Sequence, residues 1–278
     1  MSAARIKNAM IGFYVLLFFA WLFGPLVIMS ASAFNATAFP TVTPWRGFTT
    51  EWFAELFSNR DIREGATTSL LIGIGVVLVA VPIGLAAAVL MTKLSSRARS
   101  IYYAVVVSPV LMPGVIIGVS TKVFWDRLGT ATGASYSSFF FDGYFLTVMG
   151  QASFISAYCM LIFLARLQRF DRAQEEAALD LGASHLQVFL KILVPFLRPA
   201  IFSAAVLAFL TSFENYNTTV FTILPEKTLT TVLASKVRLG TDPSISALAF
   251  LIIAITILGA VAYEVKARAE ARRVGAVG

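Results

Sequence analysis

The chain has 278 residues; 58% are hydrophobic, only 13% are charged, and the formal charge is +7. Soluble globular chains are about 45–50% apolar and about 25% charged, so a soluble enzyme domain, a disordered chain and a collagen-like chain are excluded. One cysteine (Cys159) excludes a disulfide framework and a Cys-based zinc site, and one histidine (His185) leaves little for a histidine metal cluster.

Six segments are apolar and long enough to cross a bilayer, at about 9–31, 67–91, 101–121, 144–165, 199–223 and 245–263. Each is expected as a helix, because a lone strand leaves its backbone polar groups unpaired in lipid. In the first, Arg5 and Lys7 precede the apolar run, and Ala31-Ser32-Ala33 looks like a signal-peptidase site. The run from Ala9 to Met29 exceeds the usual signal core of about 7–15 residues, so a retained anchor is expected. In the loop that follows, Trp52, Phe53, Leu56 and Phe57 form an amphipathic helical stripe that Thr50 can cap. Such a helix lies on the membrane surface or packs as a satellite of the bundle; periodicity leaves both open.

In the third span Pro109, Met112, Pro113, Gly114 and Gly118 signal either a helix broken around a cavity or close packing by glycine. In the fourth, Gln151, Ser153, Ser156 and Tyr158 are expected to bond between helices, with Cys159 as packing. In the fifth, Glu214 is the only acidic residue within a predicted span. It lies eight residues from the outer end, about 12 Å deep at the helical rise.

Basic residues divide unevenly between alternate loops. The N-terminus, the 92–100 loop, the 166–198 loop and the C-terminus (Lys266, Arg268, Arg272, Arg273) hold fourteen, and the other loops hold eight. The positive-inside rule places the first group, and with it both termini, in the cytoplasm. The basic tail is read as this topological signal and not as a nucleic-acid site.

The inner loop 166–198 is the most informative stretch. Residues 173–181 are strong helix formers apart from Asp180, Gly182 can stop that helix in a left-handed conformation, and Ser184 can cap a second one. Pro195 and Pro199 then mark the start of the fifth span. Ala177 and Ala178 permit close approach, Leu179 and Leu181 offer apolar knobs, and Glu176 and Asp180 form an acidic edge.

Glu176-Ala177-Ala178, then Gly182, Ile192 and Pro195 at fixed spacing, resembles the EAA loop of the membrane subunits of binding-protein-dependent ABC importers; Val194 stands where that family usually has Leu. The resemblance covers nearly the whole chain and is nearest to the spermidine/putrescine-type permeases. Ser108–Gly118, Leu167–Pro199, Ser212-Phe213-Glu214-Asn215, Leu224-Pro225 and Val237–Ala249 carry it. It implies an all-α integral-membrane fold of the type I importer permease architecture, one domain over 1–278, in a bacterial inner membrane. It also implies two ATP-binding subunits, a second and different permease, and an extracytoplasmic solute-binding protein. The segment from Glu176 to Gly182 would be the helix that docks on the ATPase. No Gly-rich phosphate loop of the Walker type occurs here, so no cofactor is expected on this chain, with ATP and Mg held by the partner ATPase.

A carboxylate inside a span is by default a functional group. On a continuous helix Thr211, Glu214, Asn217 and Thr218 make one polar stripe, flanked by Phe213, Asn215 and Tyr216. A carboxylate among aromatics suits an ammonium group, so these seven residues are the expected solute contacts. Polyamine-type relatives often carry two adjacent carboxylates where this chain has Glu214 and Asn215. The missing charge brings a monocation or zwitterion into consideration, and a protonated Glu bonded within the bundle is the structural alternative. A secondary transporter would need an internal repeat of the fold, and a membrane enzyme a nucleophile–base pair or a metal cluster. Neither is found in the sequence.

Overall fold

The computed structural model describes residues 3–239 and 242–275, and among these no strand forms beyond an isolated bridge between Asn35 and Phe48. Twelve α-helices are described: α1 (Ala3–Ser32), α2 (Glu51–Ser58), α3 (Arg60–Lys93), α4 (Ser96–Val107), α5 (Gly114–Ala131), α6 (Gly143–Leu167), α7 (Ala173–Asp180), α8 (His185–Val188), α9 (Val194–Phe213), α10 (Thr219–Thr222), α11 (Leu229–Leu239) and α12 (Pro243–Gly275). Gly240 and Thr241 of the last link lie outside the described residues, as do the side chains of Arg5 and of Lys266, Arg268, Arg272 and Arg273.

Four stretches are long and apolar enough to cross a membrane: Met10–Ser32, Arg60–Lys93, Gly143–Leu167 and His185–Phe213. The remaining two expected spans differ from a plain helix. The third is a pair, Ser96–Leu111 and Gly114–Ala131, bent by 103°. The cause is local: a short 3₁₀ turn runs from Ser108 to Leu111, Met112 is extended, and Pro113 heads the next helix without an N–H to give. The last has a shorter apolar part, Pro243–Gly259. The fifth starts and stops earlier than the sequence suggests, at His185 and Phe213 instead of 199 and 223. Pro195 does not open it; a π turn over Phe189–Leu193 carries the helix into Pro195, with the Val194 N–H reaching back to the Phe189 carbonyl. The widened turn fits a position just ahead of a residue that breaks the regular ladder.

The chain forms two compact units. One comprises Met1–Ile62 with Leu233–Gly278. There Phe34, Phe53 and Phe250 form a three-ring cluster, and the Ser32 hydroxyl bonds to Ser246 at 2.9 Å. Buried Asn35 organises the loop after α1. Its Nδ2 donates to the carbonyls of Thr41 and Pro44, its Oδ1 accepts from Arg46 N–H, and its carbonyl accepts from Trp52 Nε1. Thus α2 packs as a satellite against α12, with Phe53 on Phe250, while Leu56 is buried and Phe57 stays exposed. Thr50 makes no capping bond; Thr49 Oγ1 accepts the Glu51 N–H instead. Asp242 is partly buried, which raises its carboxyl, but the Lys236 ammonium 2.5 Å away and the Ser244 N–H outweigh that and hold it below its ordinary value.

The other unit, Arg63–Val232, contains the expected site and the EAA-like loop. Its core packs Ile72, Val76, Ala80 and Ala88 of α3 with Ile155, Met160 and Phe163 of α6 and Ala200, Ala204 and Ala208 of α9. Small residues let backbones approach in a membrane protein, where packing rather than water drives association. A Cβ on Gly84 would stand 2.5 Å from the Cys159 Cβ, so Cys159 is packing, as expected.

Candidate functional site

The fifth span breaks where Glu214 stands. After Phe213 the last helical bond is Glu214 N–H to the Leu210 carbonyl. Asn215 then turns its carboxamide forward: Oδ1 accepts from the N–H groups of Thr218 (3.2 Å) and Thr219 (3.3 Å) and from the Thr219 hydroxyl (3.2 Å). It therefore satisfies the N–H groups of Thr218 and Thr219, at the head of the short helix α10. Beyond α10, Leu224 has φ 58° in the left-handed region, a conformation that costs a non-glycine residue about 1–2 kcal/mol.

Buried side chains from two neighbouring helices fix this break. Gln151 of α6 accepts from the Ser212 hydroxyl at 2.5 Å and donates to the Thr219 hydroxyl at 2.8 Å, so one carboxamide bonds both sides of the break. Thr147 bonds to Thr222 at 2.9 Å. On α5, the Gly114 carbonyl accepts from the Thr218 hydroxyl at 3.2 Å, and a Cβ on Gly118 would lie 2.6 Å from the Thr218 carbonyl. Gly118 is thus a packing glycine, as one sequence reading expected, beside a helix pair sharply bent at Met112–Pro113.

The expected polar stripe does not form, because the helix stops before it. Glu214 and Asn217 are exposed; Thr211, Phe213, Asn215 and Tyr216 are half-buried; Thr218 is 0% exposed. Glu214 is not embedded along a continuous helix but ends one, next to a turn. The structure keeps Glu214 and Asn217 accessible, commits Asn215 to the head of α10 and buries Thr218 as a packing residue. In α6, Gln151 bonds between helices as expected, whereas Ser153 and Ser156 bond within their own helix, to the carbonyls of Gly150 and Ser153. Two further charged residues lie beyond the expected end of the third span, Lys122 counting among the basic residues of the outer loops. Lys122 and Asp126 sit on α5, which runs ten residues past the expected end of the third span. The signal available was the apolar period continuing through Val123 and Phe124.

At the EAA-like loop, α7 ends in a Schellman motif: Ala183 N–H bonds to the Ala178 carbonyl, Gly182 N–H to the Leu179 carbonyl, and Gly182 has φ +86°. Ser184 and Gln187 then form a capping box on α8. Leu181 is 89% exposed and Leu186 65%. Glu176, Ala177 and Asp180 are exposed and Ala178 is half-buried. Leu179 is not an outward knob; it lines a cavity of about 320 Å³ with Lys93, Phe170, Arg172 and exposed His185. The loop is tied to the spans by Arg172, which donates to the Thr92 carbonyl, and by Arg166. Arg166 donates to the Phe196 carbonyl and stacks 4.3 Å over its ring.

Comparison with known proteins adds to this geometry. Residues 80–274 match the family model described as binding-protein-dependent transport system inner membrane component. The putrescine transport system permease protein PotI of Escherichia coli K12 is 34% identical over 264 residues, covering 94% of this chain and 92% of that protein. The spermidine/putrescine transport system permease protein PotC of the same organism is 26% identical, covering 92% and 93%. A bacterial ABC transporter involved in import of the acidic polysaccharide alginate has a similar fold, with a TM-score of 0.69, 19% identity and 93% of each chain covered.

The buried carboxamide generates a prediction. Gln151→Leu keeps the volume and strips the Ser212 hydroxyl of its acceptor. It should lower the stability of the purified protein by about 1–3 kcal/mol, the cost of orphaning a buried polar group, read as a fall in thermal midpoint.

Proposed function

The chain belongs to the family of binding-protein-dependent transport system inner membrane components, permease subunits of ABC importers, and from this premise we propose that it translocates a small, polyamine-like cationic solute by alternating access. On this reading a solute-binding protein delivers the solute on the outer side of a bacterial inner membrane, and both termini of the chain are cytoplasmic. Two ATP-binding subunits hold ATP and Mg and do the hydrolysis, and a second, different permease completes the path. The chain is a transport subunit, and among the described residues no group of His, Cys, Asp and Glu is placed to hold a metal.

The observation that carries the solute assignment is an exposed carboxylate at a helix break. Glu214 ends α9 where the backbone leaves the helix, and broken backbone at membrane depth is tolerated where it lines a water-filled cavity. There it can accept a charge-assisted hydrogen bond from an ammonium group, with Phe213 and Tyr216 offering ring faces and Asn217 and Thr211 polar contacts. One carboxylate holds the solute weakly enough to release it, as a transport site must. The names of PotI and PotC support a polyamine-like solute.

The EAA-like loop supplies the coupling. The Gly182 turn and the Ser184 capping box make a rigid two-helix element, and exposed Leu181 and Leu186 give it an apolar face to lay in a groove of the ATPase. Glu176, Ala177, Ala178 and Asp180 form the accessible edge beside it, and Leu179 anchors the element inward.

Two experiments test the two halves. Glu214→Gln should reduce uptake of a cationic solute about tenfold or more, the weight of one charge-assisted contact, with the assembled complex recovered in normal amount. Unchanged uptake refutes the solute site. Gly182→Val forces a β-branched residue into a left-handed turn, at a cost of about 1–2 kcal/mol. It should separate ATP hydrolysis from uptake, while Gly182→Asn, which tolerates that turn, should retain coupling. Equal coupling in both variants removes the lever.

A further inference from the structure

We propose that the solute bears an anionic group beside its cation, and that Lys122 and Asp126 of α5 read the two together. This rests on the importer reading above and on its cationic group, and it departs from the polyamine-like solute by adding a carboxylate to that cation.

The two residues line a cavity of about 660 Å³ between α5 and the segment that follows the break. Its remaining walls are apolar: Val119 and Val123 on α5, with Val220, Phe221 and Leu224 opposite. Lys122 and Asp126 are four residues apart on one helix, so their Cβ atoms stand about 5–6 Å apart on the same face. Opposite charges at that spacing can pair, more weakly with the lysine first as here, and among the described residues neither side chain makes a hydrogen bond or an ion pair; both are exposed. One wall therefore offers an ammonium and a carboxylate, and the facing wall offers methyl groups and one ring. The complement is a short molecule with a carboxylate for Lys122, an ammonium for Asp126 and the Phe221 face, and a methylene chain for the valines.

A dication fits this wall poorly, because an ammonium on Asp126 sets its second ammonium near Lys122. The break itself points the same way from a separate observation. Glu214 stands alone there, and the neighbouring Asn215 is both uncharged and committed to the head of α10. Neither place offers a pair of carboxylates. In the proposed orientation the cavity lies outward of Glu214 along α5, so the solute meets the charge pair first and the single carboxylate second.

The test is uptake of labelled putrescine, 4-aminobutyrate and glycine betaine by cells or proteoliposomes carrying the complete importer, with membrane level of the chain as control. Uptake of a zwitterion in preference to putrescine is expected. Lys122→Gln should lower that uptake about tenfold or more, the weight of one charge-assisted contact, and Lys122→Arg should restore part of it. Lys122→Gln should also raise the entry of putrescine relative to the zwitterion. Putrescine uptake to the exclusion of both zwitterions overturns the inference and leaves the cationic-solute reading standing. So does zwitterion uptake that Lys122→Gln leaves unchanged. If none of the three probes enters, the cationic-group reading falls together with the inference.

Discussion

One carboxamide holds the break in the fifth span in shape. Gln151 bonds Ser212 on the helix that ends and Thr219 on the helix that begins, so the break is fixed rather than merely unwound. The reason such a device is needed is physical. A helix stopped inside a bundle leaves its last carbonyls and the next N–H groups without partners, and away from water each costs free energy. Asn215 satisfies the N–H side and Gln151 ties the hydroxyls across it, while Gly114 and Gly118 let α5 come close enough to accept from Thr218. Glu214 is left outside this satisfied network and exposed. A group so placed can interact with something that passes.

The same chain joins the break to the EAA-like loop without interruption. From His185 to Phe213 the backbone is one long apolar helix, widened by a π turn ahead of Pro195. Displacing the loop therefore acts on the helix whose far end is the break. Arg166, stacked on Phe196, and Arg172, bonded to Thr92, tie the loop to α6 and α3 as well. On the proposed function, a movement imposed by the ATPase at Leu181 and Leu186 reaches Glu214 through one continuous element. The π turn is the place where that element differs from a regular rod.

Composition and motif spacing were enough to read the membrane class, the family and the helix–glycine–helix loop, because each depends on local rules. Gly182 at positive φ and the Ser184 cap follow from backbone and capping preferences that a few residues express. The break at 214–218 was not legible in the same way. Ser212 to Thr222 contains neither glycine nor proline, so propensity alone runs the helix on through Thr218. What stops it is tertiary: the acceptor and donor of Gln151, sixty-one and sixty-eight residues away in sequence, and the bonds that Asn215 makes to Thr218 and Thr219 once they are in place. The third span reads in the sequence as ending at residue 121, short of Lys122 and Asp126, for the opposite reason. Charged residues near an apolar run suggest its end, yet α5 continues through them to Ala131.

The most direct measurement of this account is thiol labelling at the break, for which the chain is well suited, since its single cysteine, Cys159, is buried. Asn217→Cys and Thr218→Cys, placed in the assembled importer, are treated with a membrane-impermeant thiol reagent. A fixed break with Asn217 exposed and Thr218 sealed against Gly114 predicts rapid modification at 217 and protection at 218. Equal modification at both positions would contradict it, since that is the pattern of an unbroken helix with its polar stripe facing water.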